Sequence, residues 1–183
     1  PLEEEDIQAT QIHRLDISGP SARYIDSGRV RGLPLNSFSL SEHAGHLRIA
    51  TTEERWQQGL DSVNHLFVLE NEDRGDDGQL TVTGHIGDIA VTERIYAARF
   101  MGDKGFLVTF RQVDPLFTLD LADPTEPRIV GELKVPGFST YLHPYGDEHL
   151  MGIGQSATEE GRITGMQLSL FDVSDFADPT RSE

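Results

Sequence analysis

Leu116-Phe117-Thr118-Leu119-Asp120, followed by Leu121-Ala122-Asp123-Pro124-Thr125, is the stretch of this sequence that decides its fold. The first half is a short run of apolar, aromatic and β-branched residues, which favour a strand. The second half contains Asp-Pro, which is typical of turns because the Asp side chain bonds nearby amides and proline fixes its own backbone angle. The stretch therefore predicts a buried strand that ends in a tight connection.

The same strand recurs along the chain. Leu66–Glu70 and Leu168–Asp172 are close copies, and Gln11–Asp16 is a weaker one. The acidic residues that close the four copies stand at positions 16, 70, 120 and 172, which gives spacings of 54, 50 and 52. Between the copies lie further short apolar runs separated by Gly, Pro, Asp and Asn, without a convincing helical stripe. The sequence therefore predicts an all-β chain built from a repeat of about fifty residues.

A repeat of this length with four strands is typical of a β-propeller blade. We predict one all-β unit over residues 1–183, an incomplete β-propeller of about three to three and a half four-stranded antiparallel blades. Its parts are the outer strands of one blade at 11–30, blades at 36–86 and 94–134, and a partial blade at 139–173. Because propellers close with about four to eight blades, we expect a fragment that is completed by remaining blades or by another copy of the chain.

Composition excludes several classes of function. The 183 residues carry a net charge of −16, which argues against nucleic acid and anionic membrane surfaces as partners. No apolar run reaches the roughly 18 residues of a membrane helix, so we expect no membrane insertion by this segment. The absence of Cys excludes disulfides, thiolate metal sites and a Cys nucleophile, but it does not fix the compartment.

Several stretches resemble a known family, the secreted bacterial and archaeal beta-propeller domain proteins that are distantly related to WD40 repeats. The resemblance covers roughly residues 20 to 179, and Phe110–Phe117 is its most specific part. The other matching stretches are 47–52, 94–102, 131–139, 141–145, 152–154 and 169–175. The Asp-Leu-x-Asp-Pro turn is also similar to the LVIVD-type surface-protein repeat. The resemblance implies an exported propeller, extracellular, on the cell surface or in the periplasm, and it implies no known reaction.

Two groups of residues are candidates for ligand binding. Arg111 and Asp114 lie between the second and third strands of the second full blade, on the face where propeller loops gather around the channel. Arg111 could grip a carboxylate that Asp114 orients, or the two could form an ion pair that braces the connection. Tyr141 and His143 alternate on an inner strand, so they share one face. They line the channel or pack against a neighbouring blade.

Metal binding is a further hypothesis. The repeated turn acids suggest calcium because hard cations prefer clustered carboxylates; they are Asp120, Asp123, Asp172, Asp175 and Asp178. The chain has no strict calcium-loop spacing, however, and Asp before Pro also acts as a turn former. His43 and His46 in a hairpin suggest a metal site without an obvious third ligand. We therefore assign no metal or cofactor, with calcium as the open alternative.

Three functions remain. The first is a binding or scaffold module for a protein or small-molecule ligand. The second is a hydrolase-type enzyme whose site crosses the channel and needs the missing blades. The third is a structural surface protein supported by metal. The sequence contains no nucleophile elbow, phosphate loop or dinucleotide fingerprint, so no catalytic residue is assigned.

Overall fold

The computed structural model describes residues 8–54, 62–72, 78–110, 114–158 and 162–182. These residues form fourteen β-strands and one short 3-10 helix at Ser37–Ser39. The strands are arranged in three sheets with antiparallel pairing, apart from one parallel contact at the start of the chain. The prediction of an all-β propeller is thereby confirmed.

The first full blade contains four strands: β3 (Leu40–His43), β4 (His46–Glu53), β5 (Val63–Glu72) and β6 (Gln79–Ile89). Each strand pairs antiparallel with the next along the chain. Ala44 and Gly45 join β3 to β4, and both have positive φ angles, 50° and 82°. Positive φ at both central residues matches the twist of a two-residue hairpin, and Gly45 adopts it without a steric cost.

The second and third blades have the same order. The second contains β7 (Arg94–Met101), β8 (Lys104–Phe110), β9 (Asp114–Asp120) and β10 (Arg128–Val135). The third contains β11 (Phe138–Tyr145), β12 (His149–Ala157), β13 (Ile163–Asp172) and β14 (Thr180–Ser182). The sequence predicted only a partial blade at 139–173. The structure adds β14, which pairs with Leu170–Asp172 of β13 and is too short and polar to be recognised from its residues.

The chain begins with a hairpin formed by β1 (Ala9–Asp16) and β2 (Arg23–Arg31). One parallel pair, Ser27 with Gln79, joins β2 to the outer strand β6 and extends the first sheet to six strands. Ile12 and Val30 of the hairpin pack on the face of the first blade together with Ile49, Phe67, Leu69 and Leu80. The assignment of this hairpin to the outer strands of a preceding blade stays a prediction.

Apolar side chains fill the space between neighbouring blades. The core between the first two blades includes Leu66 of β5 and Leu107 of β8, both fully buried. The core between the second and third blades includes Leu116 of β9 and Leu150 of β12. Burying a Leu side chain stabilises a fold by roughly 1.5–3 kcal/mol, so these cores contribute strongly to holding the blades face to face.

Two glycines on outer strands lie in close contact with turns of the following blade. A Cβ atom at Gly84 of β6 would lie 2.1 Å from the carbonyl oxygen of Pro124, which belongs to the Asp-Pro turn of the next blade. A Cβ atom at Gly131 of β10 would lie 2.8 Å from the carbonyl oxygen of Ala177 in the corresponding turn. Glycine is required because the backbones approach too closely for any side chain. The repeated Asp-Pro turn thus helps to dock one blade on another.

The far face of the third blade is exposed. Leu168 occupies the repeat position that Leu66 and Leu116 occupy in the other blades, but 68% of its surface is accessible, whereas they are buried. Met166 beside it on β13 is 86% exposed, and Ile153 opposite Leu168 on β12 is 38% exposed. An apolar surface of this kind marks a place where a further chain segment or protein can pack.

Among the residues that the structure describes, no helix has both the length and the apolar character needed to cross a membrane.

Candidate functional site

Of the four predicted ligand-binding residues, the structure describes three and brings two of those into contact. Arg111 lies outside the described residues. Asp114 begins β9, where its backbone pairs with Val135. Tyr141 and His143 lie on β11 as expected, and their side chains meet: Tyr141 Oη is 3.1 Å from His143 Nδ1. A role in ligand binding stays a prediction for all four.

Tyr141 and His143 belong to a group of side chains from all three blades, which we call the inner cluster: Phe38, Arg99, Tyr141 and His143. The ring of Phe38 packs edge-on against that of Tyr141, with 5.4 Å between the ring centroids. The guanidinium carbon of Arg99 lies 4.7 Å from the centroid of Phe38 and 6.0 Å from that of Tyr141. The cluster therefore surrounds a cation with aromatic faces, an arrangement that is attractive in itself.

Local structure fixes the position of each member. The Asn36 side chain accepts a hydrogen bond of 2.9 Å from the Phe38 amide and so caps the 3-10 helix that carries the ring. Arg99 lies on β7 opposite Phe106, between Ala98 and Phe100, which both pack toward the first blade. Strand alternation then directs Arg99 to the other face of its sheet. The four side chains meet because the inner strands of the three blades lie side by side.

A cleft of about 530 Å³ opens where these inner segments begin. Its lining comes from the chain before the first blade, from the end of β4, from the start of β7 and from β11; the residues are Gln8, Leu33, Pro34, Leu35, Asn36, Thr52, Glu54, Arg94, Ile95, Tyr96 and Thr140. Arg94 forms an ion pair with Glu54 at this cleft. Cavities of this size with mixed polarity are typical of small-molecule sites.

The cleft and the inner cluster are continuous along the chain. Asn36 of the cleft is two residues from Phe38, Tyr96 is three from Arg99, and Thr140 precedes Tyr141. Tyr96 is held in place by Phe110 and Phe138, whose ring centroids lie 5.5 Å and 5.0 Å from its own. A ligand in the cleft would thus contact Tyr96, whose ring is held in position by two neighbouring rings.

The first blade contains a second polar group that the sequence did not reveal. Glu53, which is buried, places its Oε2 atom 3.1 Å from Nε2 of the buried His65. His65 Nδ1 in turn lies 3.2 Å from Nε2 of His85, whose ring stacks on Phe67. Burial of the ring, and then the neighbouring His65, lower the pKa of His85, whereas Asp88 opposes the shift. The three side chains come from adjacent strands, so only the strand register brings them together.

The Asp residues of the repeated turns accept hydrogen bonds from groups in their own turns. Oδ1 of Asp123 accepts hydrogen bonds from the Thr125 amide and hydroxyl, at 2.9 Å and 2.7 Å. Asp172 binds the Ser174 amide and hydroxyl in the same way, and Asp120 binds the Ala122 amide. These bonds lower the pKa of Asp123 and Asp172, and the Arg128 side chain is the main cause of the lowered pKa of Asp120. Each carboxylate therefore has a local structural role.

The two hairpin histidines face different acids. His43 Nε2 lies 3.0 Å from Asp103 of the second blade, whereas His46 Nε2 is 3.9 Å from Glu70. Within the described ranges no three His, Asp or Glu side chains come together as metal ligands. His43 instead contributes to the contact between two blades, beside the buried Arg48, which donates a hydrogen bond to the Gly102 carbonyl.

Comparisons with known proteins agree with this architecture. A family model described as a beta propeller domain matches residues 2–183. An uncharacterized protein of Methanocaldococcus jannaschii is 39% identical over 175 residues, which are 96% of this chain and 26% of that protein. An uncharacterized protein of Archaeoglobus fulgidus is 49% identical over 150 residues, which are 82% of this chain and 21% of that protein. The chain thus spans about a quarter or less of the length of these relatives.

Proposed function

Because this chain belongs to the beta propeller domain family, we propose that it is a binding module whose ligand enters the cleft beside the inner strands. The observation that carries the proposal is the composition of the cleft, since one cavity of about 530 Å³ is lined by segments of all three blades. Each blade supplies a different part of the lining, so a ligand there would contact residues of all three blades.

The chemistry of the lining also supports binding. Leu33, Leu35 and Ile95 offer apolar surface, while Asn36 and Thr140 offer hydrogen-bonding groups at the same cavity. Apolar walls with a few convergent polar groups give a site both affinity and orientation. Asn36 and Thr52 already bond within the protein, which fixes the positions of their polar atoms before a ligand arrives.

Binding is favoured over catalysis by the nature of the neighbouring groups. The acidic side chain in the described lining of the cleft is that of Glu54, and it is held in an ion pair with Arg94. The cation of the inner cluster is Arg99 itself, which packs against the rings of Phe38 and Tyr141.

Ligand-observed NMR with a library of neutral, cationic and anionic fragments tests the proposal. Thr140 is exposed on β11 and lines the cleft, so Thr140→Trp should fill part of the cavity. Thr164 is an exposed strand residue outside the cleft, and Thr164→Trp is the matched control. We expect fragments that bind the wild-type chain and the control to lose their signals with Thr140→Trp. Equal signals with both variants, or no binding fragment at all, would contradict the proposal.

A further inference from the structure

We infer that His65 and His85 of the first blade bind a zinc ion through their facing ring nitrogens, with Glu53 holding His65 in position. The three side chains come from β4, β5 and β6, so the strand register of a single blade builds the site. None of them belongs to the described lining of the cleft. The inference therefore does not depend on the ligand proposed for the cleft.

The distance between the two ring nitrogens fits a tetrahedral metal ion. His65 Nδ1 and His85 Nε2 are 3.2 Å apart. Two zinc–nitrogen bonds of about 2.0–2.1 Å that enclose a tetrahedral angle place their nitrogens about 3.3 Å apart. Zinc can therefore bind both rings after a small rotation that turns both lone pairs toward the ion. Without metal the same two atoms share one hydrogen, so zinc replaces a hydrogen bond between atoms that are already neighbours.

The Glu53 carboxylate gives His65 the support that a metal-binding histidine needs. A histidine that binds zinc through one ring nitrogen keeps its hydrogen on the other and donates it, often to a carboxylate. For His65 that other nitrogen is Nε2, which lies 3.1 Å from Oε2 of Glu53. Glu53 is 6% exposed and His65 3%, so packing holds both side chains in place. The contact with Glu53 thus directs Nδ1 of His65 toward His85.

His85 opens the site to solvent. The residue is exposed, but its ring stacks on that of Phe67, with 4.4 Å between the centroids and 9° between the planes. The stacking fixes the plane of the imidazole before a metal arrives. Two protein nitrogens leave two positions of a tetrahedral ion for water or for a group of a further molecule. The arrangement is therefore that of an open zinc site.

A bulge in β6 leaves space beside the two nitrogens. Gly87 and Asp88 together lie across from the single residue His65, which is the irregularity that defines a bulge. A Cβ atom at Gly87 would lie 3.5 Å from His85 Nε2 and 3.6 Å from His65 Nδ1, so glycine keeps this space open. The charge of Asp88 acts on His85 more strongly than the opposing charge of Arg31, which favours a cation.

Calorimetric titration of the metal-free chain with zinc chloride at about pH 7.5, where ordinary histidine is neutral, tests the inference. We expect one zinc ion per chain and a Tm that rises with the zinc concentration. Glu53→Gln should weaken zinc binding about ten- to a hundredfold, as for other carboxylates that support a ligand. His85→Gln removes a ligand itself and should weaken binding at least as much. His13→Gln, exposed on β1, is the control and should bind zinc like the wild type.

NMR of the imidazole groups supplies the second measurement, in which zinc should shift the ring signals of His65 and His85 but not those of His13. Zinc binding that survives His85→Gln in a variant with an unchanged urea midpoint would overturn the assignment. Zinc shifts confined to other histidines, or no zinc binding at all, would overturn it as well. These results leave the cleft untouched, since Thr140→Trp tests that site separately.

Discussion

His65 Nδ1 lies 3.2 Å from His85 Nε2, and this contact continues a chain of polar atoms that begins at the buried carboxylate of Glu53. Only one hydrogen fits between these two ring nitrogens, so one ring donates and the other accepts. Burial of the ring and the neighbouring His65 lower the pKa of His85, so the folded blade favours the neutral form of this side chain.

The first prediction concerns stability as a function of pH. The folded chain protonates His85 below the ordinary histidine pKa of 6.5, at which the unfolded chain binds the proton. Between these two pKa values the unfolded state holds more protons, so stability rises with pH, and it is lost as the pH falls. His85→Gln keeps a donor toward His65 but does not titrate, and it should reduce this loss.

Urea midpoints measured from about pH 5 to about pH 8 check this prediction, since histidine changes charge in that range. The charged groups that act on His85, namely His65, Asp88 and Arg31, are unchanged in the variant. His13→Gln, on the exposed side of β1, is the control and should keep the wild-type profile. A His85→Gln profile as steep as that of the wild type would contradict the role assigned to His85.

The second prediction concerns the docking of blades. Gly131→Ala places a Cβ atom 2.6 Å from Thr118 Oγ1 and 2.8 Å from the Ala177 carbonyl oxygen, so the following blade must move. We expect a loss of about 1–3 kcal/mol in the free energy of unfolding, as for other overpacked sites. Gly165→Ala meets only Ser156 Oγ at 3.9 Å and should change stability by less than about 0.5 kcal/mol. Equal effects of the two substitutions would show that the contact is unimportant.

The third prediction concerns the Asp-Pro turn. Asp123→Ala removes the acceptor of two hydrogen bonds from Thr125 and should lower the urea midpoint, whereas Asp123→Asn should preserve most of the stability. Because the pKa of Asp123 is lowered, its contribution should be complete above the ordinary carboxyl pKa and disappear as the pH falls. Calorimetry that detects tight calcium binding, lost with Asp123→Ala, would instead favour the calcium alternative.

The fourth prediction concerns the exposed face of the third blade. Leu168 and Met166 should cause the chain to self-associate at micromolar concentration and to bind a hydrophobic dye. Leu168→Lys should reduce both effects, measured by light scattering and dye fluorescence. Ile17→Lys removes an isolated exposed residue in a turn and serves as the control. A monomeric wild-type chain that unfolds cooperatively without binding dye would contradict the prediction.

The sequence predicted the architecture well because the repeat is carried by apolar runs and turn residues. Leu116–Asp120 and its copies mark one strand in each blade, and the spacing of their acids marks the period. Burial on one face and turn formation are local properties, so a single chain is enough to reveal them. β14 was missed because its three residues, Thr180–Ser182, carry no apolar signal.

The candidate site was only partly predictable. Strand alternation placed Tyr141 and His143 on one face, and the structure brings them together. Arg99 and Phe38 were missed because their contact depends on how three blades are placed, which no local pattern records. The available signal was a single arginine within the apolar run Ile95–Met101, a position where a charge needs a reason. Glu53, His65 and His85 were missed for the same reason, since register alone unites them.

Gly84 and Gly131 also bear on the curvature of the array. The spacing between consecutive blades is set near the outer strands by a turn resting on a bare backbone, and near the inner strands by rings such as Tyr96 and Phe138. The difference between these two spacings is the wedge angle of a blade, and the wedge angle determines how many blades complete a circle. Gly84 and Gly131 therefore constrain the number of blades. A related protein with more or fewer blades would need other residues at these positions, or other turns against them.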